Sequence, residues 1–225
     1  VACAVRSFLP RIDVERVCFI PTMMSYPCVG RSLATVGELL YGFQVVAAVD
    51  AAALASKGGR PWGAYLGNRI AFALLCIAEA CSWYGVATRR QIWNGIEESL
   101  WALSCALLLA TVLAVKARGP ASGKWSPRMS TFLRWFPAVA AVFLVYMVLV
   151  DVPMYLARYS ATQDDGVFLS LADGLRDSCS CHEDSKDWAT WAPEIWWMTP
   201  YFTVGVWSSV WLVTPMAEGK RVKAA

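Results

Sequence analysis

Five acidic residues stand out because each lies in or beside a segment of the chain that is otherwise almost entirely apolar. They are Glu38, Glu79, Glu98, Asp151 and Glu194. Each lies seven to ten residues from the nearest charged residue beyond its segment, which corresponds to about 10–15 Å along a helix. An ionisable side chain within a bilayer costs at least about 2.5–3.5 kcal/mol unless it is paired or hydrated. Five carboxylates at one depth therefore predict side chains that face a common polar interior.

Polar side chains accompany two of these acids at helical spacing. Asn94 precedes Glu98 by four residues, and Tyr155 follows Asp151 by four, so each pair lies on one face of a helix. Glu97 is adjacent to Glu98 in the sequence and points about 100° away from it on a helix. We therefore expect only one of these two glutamates to reach the interior.

Pro153 follows Asp151 by two residues. Proline lacks a backbone donor and clashes with the carbonyl four residues earlier, here that of Leu149, so it either bends the helix beside Asp151 or ends it. A bend would leave an unsatisfied carbonyl next to the carboxylate, and this arrangement favours a cation or water.

The acidic set is compatible with two kinds of chemistry. Converging carboxylates would offer oxygen ligands to Ca²⁺, Mg²⁺ or Mn²⁺. A protonated carboxyl group would instead serve a proton relay, or acid–base chemistry on a lipid headgroup. Zinc or haem ligation is disfavoured because His182, the only histidine, lies in a loop. No metal ligand is assigned from the sequence.

The structural alternative is a buried polar network that holds the helices together. Four arginines lie where they would reach inward and neutralise some of the acids: Arg31, Arg89, Arg90 and Arg158. On the opposite side of the predicted membrane domain, a second polar level is predicted to form structural ion pairs. Its members are Asp50, Arg69 and Arg134.

The elements that would position these residues are transmembrane helices. Of the 225 residues, 57% are hydrophobic and 16% are charged, and the mean hydropathy is +0.44. Soluble domains typically contain about 45–50% apolar and about 25% charged residues. Five segments approach the ~20 residues needed to cross a bilayer, at about residues 32–54, 65–87, 96–115, 133–156 and 192–214. The predicted fold is thus an all-α membrane protein, a polytopic bundle of about five transmembrane helices.

Three regions flank or connect the helices of this transmembrane domain, residues 32–216. Residues 1–31 form an N-terminal arm that we expect to lie in the membrane interface, because prolines interrupt its short apolar stretch. The one large extramembrane loop covers residues 160–191 and contains SLADGLRDSC, which predicts a short amphipathic helix. Residues 217–225 form a basic C-terminal tail.

Five crossings would place the N-terminal arm and the large loop on the same, acid-rich face. Five cysteines lie on this face: Cys3, Cys18, Cys28, Cys179 and Cys181. An oxidising compartment would form disulfides there. We predict a disulfide at Cys179 and Cys181 rather than a metal site, because their spacing lacks the paired pattern of zinc ligands. The acid-rich face is therefore assigned to a lumenal, intermembrane or periplasmic space.

Membrane lipids and other membrane subunits are the expected partners. Many of the twelve tryptophans lie near predicted helix ends, which is typical of an aromatic belt at the headgroup level; contact with a pigment or quinone is the alternative. No other cofactor is predicted. The net charge of +3 and the dispersed basic residues give no surface suited to nucleic acid.

Two functions are compatible with these features. The favoured one is an accessory, structural subunit of a larger membrane complex, such as a respiratory or photosynthetic assembly in the mitochondrial inner membrane or the thylakoid. Enzyme signatures such as G-x-S-x-G and the P-loop are absent in usable context, small-residue faces favour helix packing, and a start at Val1 without methionine is expected of a processed product. The alternative is a membrane-embedded enzyme, or an ion- or proton-handling protein that uses the carboxylates.

Overall fold

The computed structural model describes residues 2–162 and 167–213, most of which are helical. The helices are α1 (Ala2–Phe8), α2 (Pro27–Leu54), α3 (Trp62–Thr88), α4 (Ile92–Arg118), α5 (Pro127–Tyr146), α6 (Val152–Thr162), α7 (Leu171–Asp177) and α8 (Trp188–Val213). Three two-residue strands, β1 (Arg11–Ile12), β2 (Val17–Cys18) and β3 (Glu183–Asp184), form one small sheet. The protein is an all-α helical bundle, as the sequence predicts.

Four helical segments among the described residues are long and apolar enough to cross a membrane. They are α2, α3, α4 and the continuous 36-residue rod Pro127–Thr162, which contains α5 and α6. These segments coincide with the first four predicted spans. The helix α8 covers most of the fifth, residues 192–214, whose role as a membrane span stays a prediction. The basic tail at residues 217–225 lies outside the described residues.

Local chemistry explains where the long helices begin and end. Proline is the first residue of both α2 and α5, where its missing N–H would have no partner within the helix. At α5 the Ser126 hydroxyl also accepts a hydrogen bond from the Met129 amide, at 3.2 Å. The helix α4 ends at Arg118 and is capped by the next residue, Gly119, whose φ of 74° suits glycine. The helices extend beyond the predicted apolar windows because helical hydrogen bonding continues past the first charged residue.

The helix that contains Pro153 does not end there. Residues Met147–Asp151 form a π-helical turn, and α6 continues the rod to Thr162. Because Pro153 cannot donate to the Leu149 carbonyl, the regular pattern of hydrogen bonds is interrupted at this point. The wider π turn accommodates the interruption and orients Asp151, its last residue, towards the interior, where this side chain is buried.

The half of the bundle away from the acidic residues has an apolar core. Helices α2, α3, α4 and α5 contribute to it residues that include Val49, Ala52, Ala71, Val112 and Leu133. Gly42 allows α2 to approach α3 closely, since a β-carbon at this position would lie 2.5 Å from the Leu75 side chain. This core separates the acid-rich end of the bundle from the opposite end.

Residues 2–26 and 167–187 fold together into a cap over the acid-rich end of the bundle. In the cap, β1 pairs antiparallel with β2, and β2 pairs in parallel with β3. Residues 27–31 of the predicted arm belong instead to the first turns of α2. The N-terminal arm is thus a folded structure that packs on the helices and on the large loop.

The predicted short helix of the large loop is α7, and glycine allows it to pack tightly on α3. Its first turn is capped by the Ser170 hydroxyl, which accepts from the Asp173 amide at 3.2 Å. A β-carbon at Gly174 would lie 1.9 Å from the carbonyl oxygen of Ala87. Only glycine therefore permits this approach of α7 to the end of α3.

Candidate functional site

A polar cavity of about 90 Å³ lies between the cap and the acid-rich end of the bundle, and we name it the carboxylate cavity. Its volume is sufficient for a few water molecules. Its ionisable lining residues are Arg6, Asp13, Glu15, Arg31, Glu38, Glu97, Glu98, Asp151, Tyr146, Tyr155, Arg158 and Glu194. Further polar lining comes from Ser82, Gln91 and Asn94. Four of the five predicted acids, together with Asn94 and Tyr155, thus line one cavity.

Arg31 of α2 is the centre of one side of this cavity. One of its guanidinium nitrogens, Nη2, lies 2.7 Å from the Glu38 carboxylate, 2.7 Å from that of Glu79 and 3.4 Å from that of Glu97. Arg31 and Glu79 are 7% and 3% exposed. Glu79, the fifth predicted acid, is therefore connected to the cavity through Arg31.

Two further side chains orient Glu79. The Thr35 hydroxyl donates to the Glu79 carboxylate at 2.7 Å, and the Trp83 indole N–H donates to the Thr35 oxygen at 3.1 Å. This chain of donors joins α2 to α3 and holds the carboxylate against Arg31. Helix pairing and charge compensation are thus achieved by the same residues.

The three carboxylates around Arg31 have the separations of a metal site. Oxygen atoms of Glu38, Glu79 and Glu97 all lie within 4.8 Å of one another. The Arg31 guanidinium lies between these oxygens, however, and supplies the positive charge that a metal ion would bring. We therefore assign this side of the cavity to a buried ion-pair network.

The other side of the cavity has carboxylates without such compensation. Glu98 of α4 and Asp151 of the π turn line it, and neither forms a salt bridge within residues 2–162 and 167–213. Tyr146 and Tyr155 line the same wall. This wall therefore brings together two carboxylates and two tyrosine hydroxyl groups. Neither carboxylate is paired with a guanidinium group among the described residues.

Two buried amide oxygens add to the acceptor-rich wall. Gln91 is 2% exposed and Asn94 is 9% exposed, and both line the cavity. The Gln91 Oε1 and Asn94 Oδ1 atoms have no hydrogen-bond donor among the described residues. Buried acceptors are normally satisfied, so these two indicate that a donor, water or cation belongs beside them.

An ion pair joins the rod to α8 at the edge of the cavity. Arg158 of α6 donates to the Glu194 carboxylate at 2.9 Å. The Arg158 guanidinium also lies 5.9 Å from the centre of the Tyr155 ring. The predicted acid on the last helix is thus compensated by one of the arginines predicted to reach inward.

The cap contributes ionisable residues that the sequence did not suggest. The Arg11 side chain, 2% exposed, donates to Asp13 at 2.7 Å, and Arg6 lies 3.5 Å from the same carboxylate. Burial opposes ionisation of Asp13, but the charges of Arg11, Arg6 and Arg31 outweigh it and hold the pKa of Asp13 below its ordinary value. The alternation of charged and apolar residues in RIDVERV was the available signal, because it is typical of a strand.

The expectation that only one of Glu97 and Glu98 reaches the interior is wrong. Both side chains line the cavity, because the cavity extends around α4. Glu97 faces Arg31 of α2, whereas Glu98 faces the side that contains Asp151. The angle of about 100° between neighbouring residues on a helix places the two carboxylates in different parts of the cavity, and both still reach it.

The predicted ion pairs of the opposite end do not form as a set. Asp50 pairs with Arg60 at 2.7 Å and accepts from the Asn68 amide at 2.9 Å. Arg69 instead lies 5.2 Å from the centre of the Tyr65 ring, and Arg134 lines a separate cavity with Lys116 and Trp125. Arg60, which follows the turn after α2, reaches Asp50, and the neighbours Asn68 and Arg69 point in different directions on α3.

The cysteines of the acid-rich face also pair differently from the prediction. A disulfide joins Cys181 to Cys18 across the cap, so it does not join Cys181 to Cys179. The pairing of β2 with β3 brings Cys18 and Cys181 together. The Cys179 sulfur lies 2.8 Å from the sulfur of Cys28 in the first turn of α2.

The arrangement can bind a positively charged or hydrogen-bond-donating species. Carboxylates, phenols and amide oxygens converge on a small space that is bounded by membrane-type helices and covered by a cross-linked cap. Oxygen donors of this kind suit protons, water and hard cations rather than soft metals. Comparison of the chain with family models, with characterised proteins and with solved structures finds no match.

Proposed function

We propose that this protein is an integral membrane protein that binds a hard divalent cation, in exchange for protons, in its carboxylate cavity. The observation that carries the proposal is the excess of acid over base. Seven carboxylates but only three guanidinium groups line the cavity among the described residues. The ion-handling interpretation is therefore preferred to the accessory-subunit interpretation that the sequence favoured.

Charge compensation is uneven within the cavity. Arg6 and Arg11 compensate Asp13; Arg31 compensates Glu38, Glu79 and Glu97; and Arg158 compensates Glu194. The carboxylates that line the cavity without a salt bridge among the described residues are Glu15, Glu98 and Asp151. The uncompensated acids thus define where additional positive charge is needed.

Carboxylates that lie close together in a poorly hydrated cavity without a salt bridge are stabilised by a proton or a cation. Leaving two negative charges together in a poorly hydrated space is expensive, since both desolvation and mutual repulsion oppose it. A divalent cation at Glu98 and Asp151 would remove both costs and would find further oxygen ligands in Tyr155, Asn94 and water. Because cation and proton compete for the same oxygens, binding of one releases the other.

Access to this position is from the capped end. Glu15 lies at the mouth of the cavity and is exposed, and it accepts a hydrogen bond from Gln91 at 2.8 Å. The apolar core lies between the cavity and the opposite end of the bundle. A cation would therefore enter and leave past the cap.

Calorimetric titration of the purified, chelator-treated protein with Mg²⁺, Ca²⁺ and Mn²⁺ tests the proposal. We expect saturable binding of at least one of these ions to the wild type and at least tenfold weaker binding to Glu98→Gln. The matched control is Glu183→Gln, because Glu183 is exposed on β3, outside the cavity lining. Equal binding by all three proteins, or none by the wild type, would contradict the proposal.

An accessory role in a membrane complex is a second candidate, and the exposed face of the rod favours it. Val142, Val145, Val148 and Leu149 are more than half exposed on this segment, so the rod presents an apolar surface to lipid or to a neighbouring subunit. Native size measurement of the protein after gentle extraction from its membrane distinguishes lipid from a neighbouring subunit at this face. A stable monomer would argue for lipid, and a stoichiometric complex would argue for a partner subunit; pigment or quinone would copurify with such a complex.

A further inference from the structure

The thiol of Cys179 in the cap lies in contact with the thiol of Cys28 in α2. Cys28 is in the first turn of α2, and Cys179 follows α7; their sulfur atoms are 2.8 Å apart. A disulfide requires a separation of about 2.05 Å. The two sulfurs would therefore have to approach by less than 1 Å to form a bond.

The backbone holds these two residues in register. The Cys28 amide donates to the Ser178 carbonyl at 2.9 Å, and Ser178 is fully buried. Two residues beyond Cys179, Cys181 is already joined to Cys18. Anchors on both sides thus fix the position of Cys179 relative to α2, and the contact does not depend on a freely moving loop.

Accessibility differs between the two thiols in a way that suits stepwise oxidation. Cys179 is exposed, whereas Cys28 is partly buried. An external reagent would therefore meet Cys179 first, and Cys28 would then be the neighbouring thiol that resolves the product.

We propose that Cys28 and Cys179 form a second disulfide, which joins the start of α2 to α7 in addition to the Cys18–Cys181 bond. The Cys179 thiolate attacks a small-molecule disulfide or the disulfide of an oxidoreductase, forms a mixed disulfide and releases one thiolate. The Cys28 thiolate then attacks the Cys179 sulfur and releases the second thiolate. Two cysteine thiols lose two protons and two electrons, and the external disulfide becomes two thiols.

The proposed Cys28–Cys179 bond would connect the cap to a membrane-type helix, α2. The Cys18–Cys181 bond joins two parts of the cap, whereas a Cys28–Cys179 bond would fasten the cap to α2, the helix that contains Arg31 and Glu38. The cap would then be attached covalently beside the carboxylate cavity. This inference is independent of whether the cavity binds a cation.

The test is oxidation of the purified full-length protein with oxidised glutathione, followed by denaturation with an alkylating reagent and peptide mass mapping without reduction. We expect one peptide pair that links Cys28 to Cys179, and alkylation of both residues at less than a tenth of the level at Cys76, a free thiol on α3. Cys28→Ser should instead accumulate glutathione on Cys179. Alkylation of Cys28 and Cys179 at the level of Cys76, stable glutathione on Cys179 of the wild type, or a Cys28–Cys181 linkage would each overturn the proposal.

Discussion

The Arg31 guanidinium lies 2.7 Å from a carboxylate oxygen of Glu79, and this contact joins α2 to α3 inside a bundle of membrane-type helices. The same nitrogen contacts Glu38 and Glu97. Arg31 therefore compensates one side of the carboxylate cavity, and the uncompensated side, with Glu98 and Asp151, is where the proposed cation would bind.

Replacing Arg31 should be strongly destabilising. Arg31→Met would leave the buried carboxylates of Glu79 and Glu97, and the partly buried one of Glu38, without their cation, and breaking a buried ion pair in this way typically costs about 3–5 kcal/mol. The free energy of unfolding, measured by SDS titration of the detergent-solubilised protein, should fall by that amount. The matched control is Arg134→Met, since Arg134 is exposed and its loss should change stability by less than about 0.5 kcal/mol. Equal effects of the two substitutions would contradict a central role for Arg31.

Neutralising a compensated acid should destabilise the protein, whereas neutralising an uncompensated acid should not. Asp13→Asn leaves the buried Arg11 guanidinium without its partner and should cost about 3–5 kcal/mol. Glu98→Gln removes a partly buried charge that has no salt bridge among the described residues, and it should leave stability unchanged or raise it by about 1 kcal/mol in the absence of divalent cations. The measurement is the same unfolding titration at neutral pH. A large loss of stability in Glu98→Gln would show that Glu98 has a partner.

Acidification should weaken the contact of α7 with the N-terminal part of the cap, where Arg16 lies 2.9 Å from Asp177. Burial opposes ionisation of Asp177, but the hydrogen bond and charge of Arg16, together with His182, outweigh it and hold the pKa of Asp177 below its ordinary value of 3.8. Because the folded-state pKa is the lower one, the contribution of Asp177 to stability is complete above the ordinary pKa and is lost as pH falls through the folded value. The protection of the backbone amides of residues 171–185 against hydrogen exchange, relative to the intrinsic exchange rate at the same pH, should therefore fall below about pH 4.

The variant Asp177→Asn provides the control for this acid step. It lacks the carboxylate at every pH, so exchange in residues 171–185 should already be raised at neutral pH and should change less on acidification. If the variant shows the same acid step as the wild type, another group is responsible for it.

The close approach of α7 to α3 makes Gly174 intolerant of a side chain. A β-carbon there would meet the Ala87 carbonyl oxygen at 1.9 Å, so Gly174→Ala should displace α7 and cost about 1–3 kcal/mol. At Gly63 of α3 nothing lies within 4 Å of an added β-carbon, and Gly63→Ala should be neutral or stabilising by up to about 1 kcal/mol. Thermal unfolding of both variants checks this difference. Unimpaired stability of Gly174→Ala would place α7 farther from α3.

The convergence of the acids was predictable because the cost of a charge in an apolar helix dictates which way the residue must face. Depth along a helix is encoded in residue spacing, so the meeting of Glu38, Glu98, Asp151 and Glu194 at one level follows from the sequence. The same pattern predicted the first four long helices, whereas their ends were extended by hydrogen bonding that hydropathy does not report.

Partners that come from distant segments were not predictable in the same way. The compensation of Asp50 by Arg60 rather than by Arg69 or Arg134 depends on a turn geometry that spacing does not specify. The pairing of Cys18 with Cys181 depends on the sheet between the N-terminal segment and the large loop. Arg11 and Asp13 lie beside the cavity for the same reason, because the cap folds onto the helices.

Anomalous diffraction from crystals of the protein grown with Mn²⁺ tests the proposed cation site most directly. We expect one anomalous peak in the carboxylate cavity, with oxygen atoms of Glu98 and Asp151 within about 2.6 Å of it, and no such peak in crystals of the Glu98→Gln, Asp151→Asn double variant. A cavity that holds no Mn²⁺ at saturating concentration, or a peak that persists there in the double variant, would contradict the proposed site.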